Sequence, residues 1–253
     1  MDKMNIHRFD SLESTNKYCE LLDLSEVGEF SVFWAMEQTA GIGQRGNHWH
    51  SQSGKNLTFS IVLHPSFLLS ANQFRLTQVL SLGVSDFLKG VFRGERRDDL
   101  ANAVSIKWPN DIYVETSKIC GMLVENRLSG VTVRSSICGI GLNVNQTIFP
   151  DWIPNPVSMS QLTHETFDLE AELRHLIDAI SHRYRQLQDG MAMQIEQDYL
   201  SRLLNMGIKS RYRYKGEDIE ATITGVTPKG HLTLIYSNGN SIVCDLKEIQ
   251  FLF

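Results

Sequence analysis

The sequence lacks any apolar stretch near the roughly 20 residues needed to cross a bilayer. Its first residues, Met1 to Asn5, are polar and do not form the apolar segment of a signal peptide. We therefore predict a protein without a membrane span. Cysteine is also scarce, and no two cysteines form a C-x-x-C pair, so a zinc site or a redox motif has little support. Reduced, mostly buried thiols in a cytoplasm are the favoured interpretation of Cys19, Cys120, Cys138 and Cys244.

Basic residues are too few for a general nucleic-acid-binding protein. The sequence has 24 Lys and Arg against 29 Asp and Glu, which gives a formal charge of -5. Phosphate neutralisation needs clustered Lys and Arg, so only a local basic site is compatible with this balance. The 253 residues are 42% hydrophobic and 21% charged, which is enough for one large core, or for one large domain plus a small one.

Hydrophobic patterning predicts an α+β fold. Several strands follow one another between residues 104 and 140 with polar turns between them, which favours a mostly antiparallel sheet over a doubly wound fold. The predicted strands cover residues 31–37, 57–63, 104–108, 112–114, 119–126 and 131–140, and the predicted helices cover residues 17–22, 72–89, 169–187 and 195–204.

The hydrophobic pattern of the sequence changes after Gly207. Short alternating runs separated by Gly- and Asn-containing turns predict a small all-β unit. This unit is too short to be expected to fold alone, so we expect it to dock on the larger part. The predicted division is therefore a large domain over residues 1–206 and a small β-domain over residues 207–253.

A glycine-rich loop runs from Glu37 to Trp49 between two predicted strands. Its glycines allow a ligand to approach the backbone and its N–H groups closely. The pattern is neither a Walker loop nor a dinucleotide fingerprint, because a strand follows it. On spacing alone, an ordinary flexible hairpin connection explains it equally well.

The run Lys107-Trp108-Pro109-Asn110-Asp111 places a lysine where Pro109 should end a strand. A lone lysine in such a place is most often solvated. A partly desolvated lysine, in contrast, is a compact positive charge suited to a phosphoryl group in its transition state.

Glycines also interrupt two later strands, in Lys118 to Glu125 and in Gly139 to Asn145. A glycine inside a strand indicates close approach of a ligand or of another backbone. Sheet packing or a bulge explains each of these glycines equally well when it is taken alone.

Together and in this order, these segments resemble the biotin–protein ligase family, and the resemblance covers nearly the whole chain. Ser14-Thr15-Asn16 and the run Ser53 to Leu57 add to it, and the Lys-Trp-Pro-Asn-Asp run is nearly diagnostic. The resemblance implies a central mixed, mainly antiparallel sheet flanked by helices, of the class II synthetase-like kind, followed by a small Src-homology-like β-barrel. Because the sequence begins almost at the catalytic domain, we expect a ligase without an N-terminal DNA-binding domain.

The resemblance also implies roles for particular residues. Lys107 would contact the reacting carboxylate and the α-phosphate, and Asp111 would orient or deprotonate the acceptor lysine. Trp49 would pack against adenine, and Mg2+ would arrive bound to ATP. Biotin would be bound by Ser14, Thr15, Asn16, Gln38, Gly41, Lys107 and Gly121, and ATP or the adenylate by Gly43, Gln44, Arg45, Gly46, Trp49, Asn110, Lys118 and Asn143.

The glycine loop departs from the family pattern. Members commonly carry arginines at the positions of Ile42 and Gln44, and here Arg45 comes one residue later. We therefore expect weaker retention of the adenylate, with Arg45 as a partial substitute for the usual phosphate clamp.

The implied acceptor is a biotin carboxyl carrier domain of a carboxylase, and the protein would be a monomer or a homodimer. The rival of the same fold is a lipoate ligase or octanoyltransferase, and a rival of another class is a non-catalytic biotin-binding or DNA-binding regulator. The Lys-Trp-Pro-Asn-Asp run and the C-terminal β unit favour biotin over lipoate. Lys107 and the expected lack of a helix-turn-helix argue against the regulator. His48 and His50 have the spacing of a metal pair but no third ligand nearby in sequence, so a polar loop edge is favoured.

Overall fold

A seven-stranded sheet forms the centre of the protein, for which a computed structural model describes residues 5–252, apart from the side chain of Arg45. The strand order is β1-β2-β3-β7-β6-β5-β4; β1 pairs with β2 in parallel, and every other neighbouring pair is antiparallel. The predicted mixed, mainly antiparallel sheet is confirmed. The strands are β1 Ile6–Leu12, β2 Ser31–Gln38, β3 Leu57–Leu63, β4 Val104–Lys107, β5 Asp111–Val114, β6 Ser117–Ser129 and β7 Thr132–Leu142.

Helices cover both faces of this sheet unequally. Apolar side chains alternate along the central strands, so that Phe59 and Ile61 join the main core, whereas Ser60 and Val62 point to the opposite face. That opposite face carries α1 and leaves room for a cavity beside it. The helices are α1 Thr15–Glu20, α2 Phe74–Gly94, α3 Asp98–Ala103, α4 Met159–Thr163, α5 Leu169–Gln188 and α6 Ala192–Ser201.

Three elements before residue 207, namely β1, α3 and α4, were not predicted. Strand β1 is an edge strand in which no residue is fully buried, so it has little hydrophobic pattern to reveal it. Helix α3 lies between the predicted helix over residues 72–89 and the predicted strand over residues 104–108, where no element was predicted. Its Asp98 and Asp99 occupy the first turn, where carboxylates favour a helix, and Leu100 and Ala101 are buried.

The C-terminal residues form a separate five-stranded antiparallel sheet of order β11-β10-β9-β8-β12, which fits the predicted small Src-homology-like fold. Its apolar side chains, among them Tyr212 and Ile223, belong to the same core as those of the large sheet. The indole N–H of Trp108 donates to the carbonyl of Gly230 at 2.9 Å, so the expected docking is observed. The strands are β8 Lys209–Tyr214, β9 Glu217–Val226, β10 Leu232–Tyr236, β11 Ser241–Cys244 and β12 Ile249–Phe251.

The four cysteines are free and buried, as expected. Burial raises the pKa of the Cys19 thiol to about 12 and that of Cys244 to about 11. Within residues 5–252, none of the helices combines the length and the apolar character needed to cross a membrane.

Candidate active site

A cavity of about 550 Å³ opens on the α1 side of the large sheet and extends to the C-terminal sheet. It brings together most of the residues singled out in the sequence. Those in its wall are Ser14, Thr15, Asn16, Gln38, Gly43, Gln44, Trp49, Lys107, Asn110, Asp111, Lys118 and Gly121.

Three of the predicted site residues, Gly41, Gly46 and Asn143, do not line the cavity. For a fourth, Arg45, the structure does not describe the side chain. Gly41 and Gly46 belong to the loop beside the cavity. Asn143 donates its side-chain N–H to the carbonyl of Val157 at 3.0 Å, away from the wall. The side chain of Arg45 is the one outside the description, so its expected role stays a prediction, as do the roles of the other three.

One end of the cavity, the polar end, is formed where α1 begins. Ser14, Thr15 and Asn16 are all at least 95% buried there. The backbone N–H of Thr15 donates to Oε1 of Gln38 at 2.7 Å, which leaves the Gln38 amide nitrogen as a donor. Ser14 occupies the position before the helix, but its hydroxyl makes no capping bond. Its hydroxyl therefore remains available to a ligand.

A second layer of polar groups holds Asn16. Its Oδ1 accepts the hydroxyl proton of Ser60 at 2.6 Å, and its Nδ2 donates to Oε2 of Glu125 at 2.6 Å. The carboxamide lies directly on β7 at Gly139, where an added Cβ would come within 2.3 Å of Asn16 Oδ1. A side chain at Gly139 is therefore incompatible with the observed position of Asn16.

The glycine-rich loop folds back on itself beside the cavity. The backbone N–H of Trp49 donates to the carbonyl of Gly41 at 2.9 Å, and the N–H of Gly43 donates to the carbonyl of Asn47 at 2.7 Å. A Cβ on Gly41 would come within 2.4 Å of the Trp49 carbonyl oxygen. Gly41 is thus required for the closing of the loop.

The indole ring of Trp49 lies against the bare backbone of two strands. An added Cβ would be 2.3 Å from this ring at Gly141 and 3.0 Å from it at Gly121. The indole N–H is buried, and no hydrogen-bond partner for it is found among the described residues. The two glycines therefore leave room for the Trp49 ring, which forms an aromatic platform in the cavity wall.

Lys107 and Asp111 face each other across the hairpin of β4 and β5, as paired residues of the two strands. The Lys107 ammonium lies 5.3 Å from the centre of the Tyr113 ring and 5.4 Å from that of Phe251. Burial lowers the pKa of this ammonium, and the nearby charge of Asp111 partly opposes the effect. Within residues 5–252, no salt bridge joins Lys107 to a carboxylate. Its charge is therefore available to an anionic ligand.

Asp111 is held by a second lysine. Its Oδ1 lies 2.7 Å from the ammonium of Lys118, which also stands 5.6 Å from the centre of the Trp49 ring. Asn110 donates its side-chain N–H to the carbonyl of Met122 and so fixes the hairpin turn to β6. The cavity wall thus carries the ammonium groups of Lys107 and Lys118 on either side of the hairpin turn, both next to the carboxylate of Asp111.

The C-terminal sheet contributes wall residues that sequence reasoning missed. Leu246, Lys247, Ile249, Gln250 and Phe251 line the cavity opposite the glycine loop. They come from a short strand and its preceding turn, which carry no recognisable motif. Only the docking of the second sheet reveals them.

The chain is similar to known proteins over most of its length. The family model described as "Biotin/lipoate A/B protein ligase family" matches residues 8–143. The bifunctional ligase/repressor BirA of Bacillus subtilis is 30% identical over 233 residues, which are 91% of this chain and 69% of the relative. The biotin–[acetyl-CoA-carboxylase] ligase of Paracoccus denitrificans is 30% identical over 83% of this chain and 85% of its own. A biotin protein ligase from Aquifex aeolicus, solved in complex with biotin and ATP, superposes with a TM-score of 0.79 at 26% identity and covers 98% of this chain and 99% of that one.

Proposed function

Because the chain belongs to the biotin/lipoate A/B protein ligase family, we propose that it activates biotin with ATP and transfers it to a lysine of a biotin carboxyl carrier domain. The observation that carries this proposal is the juxtaposition, in one cavity, of a buried polar end and the Lys107 ammonium. The similar proteins from B. subtilis, P. denitrificans and A. aeolicus are named as ligases, which supports the same reaction.

The polar end favours biotin over lipoate or octanoate. A ureido ring has two N–H donors and one carbonyl acceptor, and it needs buried partners for all three. The carbonyl oxygen of Asn16, the amide nitrogen of Gln38 and the hydroxyls of Ser14 and Thr15 offer both kinds of partner. An alkyl chain or a dithiolane ring offers no partner to the Gln38 amide nitrogen or to the Ser14 hydroxyl, and a buried polar group left unsatisfied costs about 1–3 kcal/mol.

In the first half-reaction, a carboxylate oxygen of biotin attacks the α-phosphorus of ATP, and the bond to the β-phosphate oxygen breaks. Biotinyl-AMP forms and pyrophosphate leaves. Two anions must meet, so the Lys107 ammonium offsets their repulsion and the charge that develops on the phosphoryl oxygens. The Lys107 ammonium retains this ability because it forms no salt bridge within residues 5–252, and its strand partner Asp111 is already paired with Lys118.

Mg2+ bound to the triphosphate would supply further neutralisation of charge. Among the described wall residues Asp111 is the one carboxylate, and it is already paired with Lys118. This donor set fits an ion carried in by ATP, as the sequence predicts, better than a resident metal held by the protein. Lys118 and Lys107 would flank the phosphates from two strands.

In the second half-reaction, the neutral amine of the acceptor lysine attacks the carbonyl carbon of biotinyl-AMP, and AMP leaves as the amide forms. The amine has an ordinary pKa of about 10.4 and must lose a proton first. Asp111, at the mouth of the hairpin, would align the amine and help to remove that proton. The four free, buried thiols fit the reducing cytoplasm in which we place this reaction.

The purified protein is expected to catalyse biotin-dependent exchange of pyrophosphate into ATP, and to attach one biotin to a carrier domain as an amide. The exchange assay isolates the first half-reaction, and mass spectrometry of the carrier domain reports the second. Lipoate and octanoate, offered in place of biotin, should support neither. Exchange with lipoate but not biotin would favour the rival ligase, and biotin binding without exchange would favour a non-catalytic regulator.

We expect the exchange activity to fall at alkaline pH because Lys107 loses its proton. Its protonated form is the active one, and burial lowers its pKa, so activity should be full at neutral pH and fall before the roughly 10.4 of an ordinary lysine. The measurement is kcat/KM for biotin against pH, which reports groups of the free enzyme. Lys107→Arg stays protonated throughout and should not show this fall. An identical fall in both proteins would assign the titration to another group.

A further inference from the structure

Glu125 stands behind the polar end of the cavity without lining it. It lies on β6, four residues beyond Gly121, and its Oε2 accepts the side-chain N–H of Asn16 at 2.6 Å. The register of the sheet brings it there, because β3, β7 and β6 are neighbours and Ser60, Gly139 and Leu123 stand side by side. Glu125 follows Leu123 by two residues and therefore points to the same face.

The carboxylate decides which way the Asn16 carboxamide points. The other hydrogen-bond partner of this group is the hydroxyl of Ser60, which is fully buried and can either donate or accept. Ser60 alone would tolerate both orientations of the amide. Oε2 of Glu125 accepts in its contact with Asn16, so Glu125 selects the orientation in which Nδ2 faces β6. The carbonyl oxygen Oδ1 is then turned toward Ser60 and the bare backbone of Gly139 in the cavity wall.

We propose that Glu125 is a positioning residue for recognition of the ureido ring, because it presents Asn16 Oδ1 to the ligand as an acceptor for a ring N–H. This role rests on the proposed function and adds to it the residue that fixes the orientation of the Asn16 amide. A dithiolane or alkyl group has no N–H to offer to such an acceptor. Glu125 thus contributes to the choice of biotin although it does not touch the ligand.

Glu125→Met tests this role, since it keeps the length of the side chain and removes both acceptor oxygens. In the biotin-dependent exchange assay we expect KM for biotin to rise about 10- to 100-fold, the range for one lost hydrogen bond to a charged group, with kcat and KM for ATP changed less than about twofold. Glu125→Gln is the matched control. Its carbonyl can accept the same N–H, so KM should return to within about threefold of the wild-type value.

An analogue of biotin methylated on one ureido nitrogen distinguishes positioning from general damage. The wild-type protein should discriminate strongly against the analogue that blocks the N–H facing Asn16, and Glu125→Met should lose most of that discrimination. An unchanged KM for biotin in Glu125→Met, or an equal rise for biotin and both methylated analogues, would overturn the proposal. If Glu125→Met does not fold, Glu125→Ala is measured in the same way. Absence of exchange in the wild-type protein would instead refute the proposed function itself.

Discussion

Replacement of Lys107 by alanine is expected to slow the formation of biotinyl-AMP by about 100-fold or more, which is typical of the loss of one preorganised charge in a transition state. Within residues 5–252 the ammonium forms no salt bridge, and its strand partner Asp111 is already paired with Lys118 at 2.7 Å, so removal of the ammonium leaves no described carboxylate without a partner. The loss should therefore appear in catalysis rather than in folding. Biotin-dependent pyrophosphate exchange measures it directly.

Lys89→Ala is the matched control for this experiment. Lys89 is another half-buried lysine whose pKa is lowered by burial, but it lies on α2 and outside the cavity wall. Its loss should leave the exchange rate within about twofold of wild type, as is usual for a side chain remote from the site. Near-normal exchange in Lys107→Ala, or an equal loss in Lys89→Ala, would remove Lys107 from the proposed mechanism.

The parts of the site that could be read from the sequence are those whose residues are consecutive in the chain. Lys107 to Asp111 form one hairpin turn, and Ser14 to Asn16 form one helix start, so each segment carries its own signal. The glycines of β6 and β7 were also visible, because glycine within a strand is unusual. The structure supplies their reason, since an indole ring and a carboxamide lie on the bare backbone.

The parts that could not be predicted depend on strand register and on docking. Ser60 is an ordinary polar residue in a strand, and only its position beside Gly139 makes it a partner of Asn16. Phe251 is more than 140 residues from Lys107 in sequence and reaches it because the C-terminal sheet packs against the hairpin. A period of two in a sequence tells which residues share a face, but it does not tell which strands are neighbours.

Gly139→Ala is expected to raise KM for biotin about 100-fold while it leaves KM for ATP nearly unchanged. The added methyl group would come within 2.3 Å of Asn16 Oδ1 and 2.9 Å of its Cγ, so the carboxamide must leave its place. Asn16 would then lose its bonds to Ser60 and Glu125, together with its orientation toward the ligand. The exchange assay, with biotin and ATP varied in turn, separates the two constants.

The same substitution two residues further along the strand should give the opposite selectivity. At Gly141 an added methyl group meets the Trp49 ring at 2.3 Å instead of Asn16, so Gly141→Ala should raise KM for ATP more than KM for biotin. Gly225→Ala, in the C-terminal sheet, meets only the Thr233 hydroxyl at 3.4 Å and serves as the control for folding. If Gly139→Ala and Gly141→Ala raised both constants equally, the division of this cavity into a ureido end and a nucleotide end would be wrong. Opposite effects from two neighbouring positions of one strand cannot come from a general loss of stability, because such a loss would not distinguish the substrates.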